Sequence, residues 1–343
     1  MPATAQPSPS AAAPGASSSP DAATGANSSP DASTGASSSA ETSSATTFAA
    51  ANCPGCGEPL RGRVLLSSHD RLMGGPGDFA VLACRACGLA STQPRLRPEQ
   101  FADYYPQVYY PERAERLSFA ERLRLEWIVR LGPYRRLSRL RPGRMLDVGC
   151  GSGALLSTFA GHGWSVAGVE PSVEAAARAR AAGIEMHNGT LDDAPWQGPT
   201  FDAIVFNHSL EHIPDPVASL RQAAALLREG GTLAVAVPNF DCWQRRLFGA
   251  RWFQLDLPRH LQHMQTHTLA GLFERAGLRP VARTTVSMRP ALLLSLQYAA
   301  FGRVRWNGRG LRLAAWAMAP LLWALDRFAD GDCLHMFAVR RED

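Results

Sequence analysis

A chain of 343 residues, 45% of them hydrophobic, is long enough for one large domain or two smaller ones around a sizeable core. Its formal charge of +5 rests on arginine alone, because all 35 basic residues are arginine; the absence of lysine excludes Schiff-base and lysine-nucleophile chemistry. An alanine-rich, lysine-free composition looks like the codon bias of a GC-rich genome, so basicity by itself is weak evidence for a nucleic-acid partner.

Residues 1–50 carry almost no large apolar side chain and contain an imperfect ten-residue repeat, GASSSPDAAT from Gly15, GANSSPDAST from Gly25 and a decayed copy from Gly35. Such a segment buries too little surface to offset its ordering entropy, and a disordered tail is expected. No basic start followed by an apolar stretch is present, so no secretory signal is read and a cytoplasmic location is the default expectation. Residues 51–95 hold two CxxC pairs, Cys53 with Cys56 and Cys84 with Cys87, each followed by glycine and separated by 27 residues. Each turn can aim two thiolates at one ion, and four thiolates close a tetrahedral site with no open position. A structural zinc in a small zinc-ribbon-like lobe is therefore expected. Cys150, Cys242 and Cys333 are scattered, which argues against a disulfide framework.

Residues 96–140 read as a tyrosine-rich linker and a helix. Tyr104, Tyr105, Tyr109 and Tyr110 are punctuated by Pro106 and Pro111. Ser118 and Glu121 then have capping-box spacing, and Ala120, Leu123, Trp127 and Leu131 recur at helical intervals. Residues 141–343 alternate apolar strand runs with helical stretches. Strands are predicted at Met145–Val148, Ser165–Val169, Ile184–His187, Phe201–Phe206 and Thr232–Val237, with helices near 153–161, 172–182 and 215–228. This alternation predicts a parallel, doubly wound α/β sheet, followed by late strands near Val281–Val286 and Leu334–Val339.

Between the late strands lies an apolar insertion, 288–328. Its runs Ala291–Phe301 and Leu313–Leu325 flank Arg303, Arg305, Arg309 and Arg312. Neither run reaches the ~20 residues that span a bilayer, and Pro320 interrupts the second. The insertion reads either as buried or lid helices, or as a peripheral contact through 290–327 with the inner membrane face, where arginines meet lipid phosphates and the apolar faces admit a lipid-like acceptor.

The chemistry concentrates after the first strand of the large domain. In Leu146-Asp-Val-Gly-Cys-Gly-Ser-Gly153, glycines let the backbone approach a ligand and the following helix offers free N–H groups. The spacing is GxGxG rather than the dinucleotide GxGxxG, with Asp147 in the strand before it. Glu170 ends the second strand, where a carboxylate can accept both hydroxyls of a ribose. Gly189-Thr-Leu-Asp-Asp193, Phe201-Asp-Ala-Ile-Val-Phe-Asn-His-Ser-Leu-Glu-His-Ile-Pro-Asp-Pro216, Arg228-Glu-Gly-Gly231, Val237-Pro-Asn239 and Pro258-Arg-His-Leu-Gln-His263 follow in order.

This ordered set, over about residues 140–290, resembles class I S-adenosylmethionine-dependent methyltransferases of the methyltransferase domain 23 kind. It is similar to ubiquinone-type O-methyltransferases and to zinc-containing sugar C-methyltransferases. The resemblance implies a Rossmann-like sheet of seven strands with the last antiparallel. It implies S-adenosyl-L-methionine held by Asp147, Gly149, Gly151, Gly153, Glu170, Leu191, Asp192 and Asn207. The sulfonium is already an electrophile, so the protein's task is to align an in-line attack and remove a proton.

Histidine suits proton removal, and His208, His212, His260, His263 and His267 cluster in the sequence. His260 is the first candidate base, because Arg259-His260 aligns with a Glu-His pair of the sugar enzymes whose histidine is proposed as the base; His208 is the second. An anchoring role for His260 is the competing reading. His208, Glu211 and His212 fall at i, i+3 and i+4, as on one helical face. Ubiquinone-type enzymes place Glu-x-x-Glu-His here for a divalent metal. With His208 at the first position, a structural or substrate-lining role is the expectation, and a second divalent metal near Glu211 and His212 is the alternative left open. The implied reaction is methyl transfer to oxygen or carbon of a small-molecule, sugar or lipid-linked acceptor. Two rivals are an RNA base methyltransferase gripping RNA through the zinc knot, against which the Asn207-His-Ser-Leu210 block counts, and a non-catalytic module that binds the cofactor and recruits partners.

Overall fold

The computed structural model describes residues 52–96, 100–104, 118–305 and 308–341. The tail at 1–50 and three of the four clustered tyrosines, Tyr105, Tyr109 and Tyr110, lie outside the described residues.

The first strands, β1 (Gly62–His69), β2 (Asp78–Cys84) and β3 (Ala90–Gln93), form an antiparallel meander between and beyond the two cysteine turns. Helix α1 (Phe101–Tyr104) is short; α2 (Phe119–Arg130) begins at the predicted capping box, with Ser118 accepting from the Glu121 N–H and Glu121 accepting from the Ser118 N–H. Its apolar stripe of Phe119, Leu123, Trp127 and Leu131 faces solvent, while Val129 enters the core.

After α3 (Arg135–Ser138) the alternation predicted from the sequence unfolds: β4 (Arg144–Val148), α4 (Ala154–Ala160), β5 (Ser165–Val169), α5 (Val173–Ala181), β6 (Glu185–His187), β7 (Phe201–Asn207), α6 (Pro216–Leu226) and β8 (Leu227–Pro238). Helix α7 (Trp243–Phe248), strand β9 (Gln262–His263), helix α8 (Thr266–Arg275) and strand β10 (Leu278–Val286) follow. The insertion folds as α9 (Arg289–Phe301), α10 (Arg309–Ala317) and α11 (Ala319–Leu325), before β11 (Cys333–Arg340) closes the sheet.

The large sheet has the order β10-β11-β8-β7-β4-β5-β6. Strands β4 to β8 pair in parallel, whereas the final strand β11 is antiparallel to both neighbours. Both faces are buried, so the strands read as continuous apolar runs. Leu146, Ile204, Val235 and Leu334 pack under α6 and α8, and the alternate residues Met145, Val205, Ala236 and Cys333 pack under α2 to α4. Strand order reverses between β4 and β7, and at such a switch point the carboxyl edge of an α/β sheet opens into a crevice.

The small sheet has the order β1-β2-β3-β9, its fourth strand supplied by the large domain. The His208–His212 stretch departs from the helical reading. His208 takes a left-handed backbone (φ 55°), and only Leu210–His212 wind, as a single 3₁₀ turn, so the three side chains do not share a helical face. Asn207 at the strand end and Pro214 just beyond leave no room for an α-helical start.

Candidate functional site

The glycine loop leaves β4 at the switch point. Its first turn is fastened to β5, with the Gly149 and Cys150 N–H groups donating to the Val169 carbonyl at 2.8 and 3.1 Å. All three loop glycines have left-handed φ, yet they answer to different neighbours. A Cβ on Gly149 would lie 2.6 Å from Ser209 Cβ, and one on Gly153 would lie 2.2 Å from Ile184 Cδ1. A Cβ on Gly151 would meet nothing within 4 Å. Gly149 and Gly153 thus permit close packing, and Gly151 borders open space that a ligand can fill.

Glu170, almost wholly buried, braces this loop. Its Oε2 accepts the Gly151 N–H at 2.8 Å and its Oε1 accepts the Ser172 N–H at 2.9 Å. Asp147 lies beneath the loop, 1% exposed, and its Oδ1 has no hydrogen-bond partner among the described residues. Burial, with the nearby Glu170 charge, pushes its carboxyl up to about 8. Leu191 points into the core while its carbonyl accepts from Gln222 Nε2 at 2.6 Å, and Asp192 is exposed. Asn207 ends β7 with its Oδ1 accepting the Tyr134 hydroxyl at 2.8 Å.

Next to Asn207 the carboxyl edge becomes ionisable. Ser209 bonds the Val148 carbonyl at the end of β4, tying this segment to the glycine loop. His208 Nδ1 lies 3.5 Å from Glu211 Oε1, and neither Glu211 oxygen makes a hydrogen bond of good geometry. Burial alone would raise the Glu211 carboxyl, but His208, His212 and His260 bring it down to about 2, so it is ionised. Glu211, His212 and His260 have ligand-capable atoms within 4.8 Å of one another.

The two imidazoles are held alike. His212 Nδ1 donates to the Arg259 carbonyl at 3.0 Å, and His260 Nδ1 donates to the Gln254 carbonyl at 2.9 Å. Burial, then the neighbouring His212, lowers His260 to about 4, so its Nε2 keeps a lone pair at neutral pH. Asp256 Oδ2 stands 3.9 Å from that nitrogen. His263 lies on β9, its Nε2 2.9 Å from Thr92 Oγ1, and His267 is exposed beside Gly88.

Several side chains of this edge escaped the sequence reading. Tyr134 precedes the first motif, Cys333 and His335 open the last strand, and Asp70 belongs to the small lobe. No spacing links them to the motifs; the sheet order alone brings them in.

The four cysteines of the small lobe do converge. Cys53 Sγ lies 3.5 Å from Cys87 Sγ and Cys56 Sγ lies 3.7 Å from Cys84 Sγ, with all four sulfurs within 4.8 Å of one another. Zinc–thiolate bonds near 2.3 Å in a tetrahedron put sulfurs about 3.8 Å apart, so the donor set fits a closed metal site. The two turns are built alike. Gly57 and Gly88, both at φ +78°, return their N–H to the Cys53 and Cys84 carbonyls at 2.9 Å.

A seven-stranded sheet with this order, a GxGxG loop at its switch point and a carboxylate at the next strand end define a class I S-adenosylmethionine-dependent methyltransferase. Sequence comparison agrees: the family described as "Methyltransferase domain" matches residues 114–283, and the chain belongs to it. The ubiquinone biosynthesis O-methyltransferase of Aromatoleum aromaticum (strain DSM 19018 / LMG 30748 / EbN1) is 29% identical over 181 residues, covering 49% of this chain and 75% of that protein. Its namesake from Ralstonia nicotianae (strain ATCC BAA-1114 / GMI1000) is 30% identical over 187 residues, covering 51% and 73%. Other proteins of that name are matched over 55% to 66% of their length. Among solved structures, an S-adenosylmethionine-dependent methyltransferase from Mesorhizobium loti superimposes with a TM-score of 0.44 at 22% identity, covering 63% of this chain and all of that one.

Proposed function

We propose that this enzyme methylates a hydroxyl oxygen of a small-molecule acceptor, of the kind its relatives' name implies. One observation carries the reading. Ser209 joins the glycine loop to a segment whose Glu211 reaches the neutral His260, so donor and base share one edge.

Asp147, Gly149, Gly151, Gly153, Glu170, Leu191, Asp192 and Asn207 surround the donor in this reading. The open face of Gly151 and the unpartnered Asp147 oxygen fit that role. S-adenosyl-L-methionine supplies the electrophilic methyl group when bound. His260 takes the acceptor's proton on Nε2, its Nδ1–H anchored on the Gln254 carbonyl, and the Asp256 carboxylate favours the resulting imidazolium. Arg259 stands where the sugar C-methyltransferases have glutamate. It is buried on Asp70 and Asp256 rather than turned to an acceptor, which favours oxygen over carbon.

The four thiolates hold zinc in a structural role. Because β9 completes its sheet, the small lobe serves as a wall of the acceptor pocket rather than as a free RNA grip. No helix among the described residues is long and apolar enough to cross a membrane. Leu313, Trp316, Leu321, Trp323 and Phe328 are nevertheless exposed, with Arg289 and Arg327 stacked on the two tryptophans. That surface suits a cytoplasmic enzyme resting on the inner membrane face while it takes a lipid-like acceptor.

Calorimetry with S-adenosylmethionine, then a screen of hydroxylated quinone precursors with and without isoprenoid tails, tests the assignment. Tight donor binding with turnover on one such class supports it. Turnover restricted to carbon acceptors or to RNA would replace it.

A further inference from the structure

Beside the glycine loop and His260, one cluster on the carboxyl edge has a chemistry of its own. Cys333 Sγ lies 3.4 Å from His208 Nε2, and the opposite ring nitrogen, His208 Nδ1, lies 3.5 Å from Glu211 Oε1. A second imidazole, His335 Nε2, lies 3.3 Å from the same sulfur. Thiol, imidazole and buried carboxylate thus stand in a line through the two nitrogens of one ring, the arrangement that activates a nucleophile. The members come from two places in the chain: Cys333 opens β11, while His208 and Glu211 belong to one stretch after β7, Glu211 in its 3₁₀ turn.

Two independent observations mark the cluster as more than packing. His208 holds a left-handed backbone (φ 55°), a conformation non-glycine residues adopt at a cost and keep where the surroundings demand it. Its side chain remains about a third exposed, whereas the Glu211 carboxylate behind it is 1% exposed without a hydrogen bond. We infer that Cys333, His208 and Glu211 form a nucleophilic triad, and that its target is a conjugated carbonyl compound in the acceptor pocket.

The step balances without a further reagent. His208 takes the thiol proton, and the sulfur electron pair forms a bond to the β-carbon of the conjugated system. The π pair shifts to the carbonyl oxygen as an enolate, which recovers the proton from His208. The reverse sequence releases the compound and the thiol. The charge balance agrees: burial alone would raise the Cys333 thiol, but His335 and His208 bring it down to about 6. Burial would lower His208, yet Cys333 and Glu211 raise it. The other titratable neighbours add no competing anion, since burial raises both the Tyr134 phenol and the Asp332 carboxyl, the latter to about 8.

Acrylamide, a small conjugated carbonyl, is the probe. The full-length protein is treated at pH 7 and the adducts are located by peptide mass spectrometry, with Cys242, a thiol as buried as Cys333 (0% and 2% exposed), as internal reference. Cys333 should be modified at least about tenfold faster than Cys242. His208→Asn, which tolerates a left-handed backbone, should remove that advantage, and Glu211→Gln should reduce it. Circular dichroism and donor calorimetry confirm that each variant is folded. Cys333 left unmodified, or modified no faster than Cys242, would overturn the proposal, because a nucleophile for the acceptor must be reachable by so small a molecule. Equal rates in wild type and His208→Asn would overturn it as well. The inference relies on the acceptor-side placement proposed above. Its test uses neither donor nor acceptor, so its failure leaves methyl transfer standing.

Discussion

Arg259 closes two hydrogen bonds on Asp70, from Nη1 to Oδ2 at 2.9 Å and from Nη2 to Oδ1 at 2.6 Å, with both side chains fully withdrawn from solvent. Asp70 belongs to the turn after β1, where it also accepts the N–H groups of Leu72, Met73 and Gly75. Arg259 immediately precedes His260, and Thr92 of β3 donates to the His260 carbonyl. The small lobe therefore sets the position of the proposed base.

Removing one member of a buried ion pair leaves the other charge unsatisfied, which costs about 3–5 kcal/mol. Asp70→Ala should lower stability by about 3 kcal/mol or more, read from the midpoint of urea unfolding. Turnover should fall further than donor affinity. An unchanged midpoint would mean that Asp256, 2.7 Å from Arg259 Nη2, suffices alone.

The glycine loop predicts a contrast between two substitutions. Gly151→Val projects into the open space and should abolish S-adenosylmethionine binding in calorimetry, with a modest loss of stability from its φ of 55°. Gly149→Val collides with Ser209 and should act first on folding, seen as a lower melting temperature. Equal donor affinity in Gly151→Val and wild type would place the donor elsewhere.

The four-cysteine lobe should contain one zinc per chain by elemental analysis of freshly purified protein. Cys84→Ser should lose the ion, since a hydroxyl is a poor substitute for a thiolate. The shared strand β9 carries the disturbance onward, so the variant should also lose turnover while retaining the donor site. Zinc-free, fully active protein would argue for a cluster held by hydrogen bonds between thiols alone.

Strand–helix alternation made the parallel sheet legible, because each strand is buried on both faces and each helix on one. The places of the glycine loop and Glu170 were legible because both are local features: a tight turn and the next strand end. The Cys333–His208 contact was not legible. These residues are 125 positions apart, and only the antiparallel insertion of β11 beside β8 brings them together. The helical spacing of His208, Glu211 and His212 misled, since a left-handed residue at the strand end breaks the helix before it begins. Arg259 looked like an acceptor-side substitution in sequence; its buried carboxylate partner, Asp70, lies 189 residues away.

His260 should leave a mark on the pH dependence of stability. Its pKa falls from 6.5 to about 4 on folding, so the unfolded chain binds the proton more readily. The resulting stability is complete above about pH 6.5 and is lost as pH falls toward 4. Asp147 and Asp332, both raised to about 8, act with the opposite sign, because they favour the protonated folded state and lose stability as pH rises. The His260 share is isolated by comparison with His260→Gln. Between pH 7 and pH 5 the stability of wild type relative to this variant should fall by about 2 kcal/mol. A constant difference would mean that folding leaves the His260 pKa at its ordinary value.

The same residue carries the sharpest kinetic expectation. If His260 removes the acceptor's proton, its loss must slow chemistry and leave donor binding intact, because the proposed donor site lies on the glycine loop and Glu170. General-base assistance is worth roughly a hundred- to ten-thousand-fold, and His260→Ala should lower kcat on that order. His263→Ala removes a side chain that bonds Thr92 within the small sheet, so it should act through stability and cost far less in kcat at saturating acceptor. Asp256→Asn should fall between the two, since it removes the carboxylate 3.9 Å from Nε2 and leaves the imidazole in place. The acidic limb of the kcat/KM–pH profile, which reports the free enzyme, identifies the base directly. It should bend near the His260 value of about 4 in wild type and vanish in His260→Ala. Near-normal turnover in His260→Ala would reduce that side chain to an anchor on the Gln254 carbonyl and move the base to the His208–Cys333 cluster.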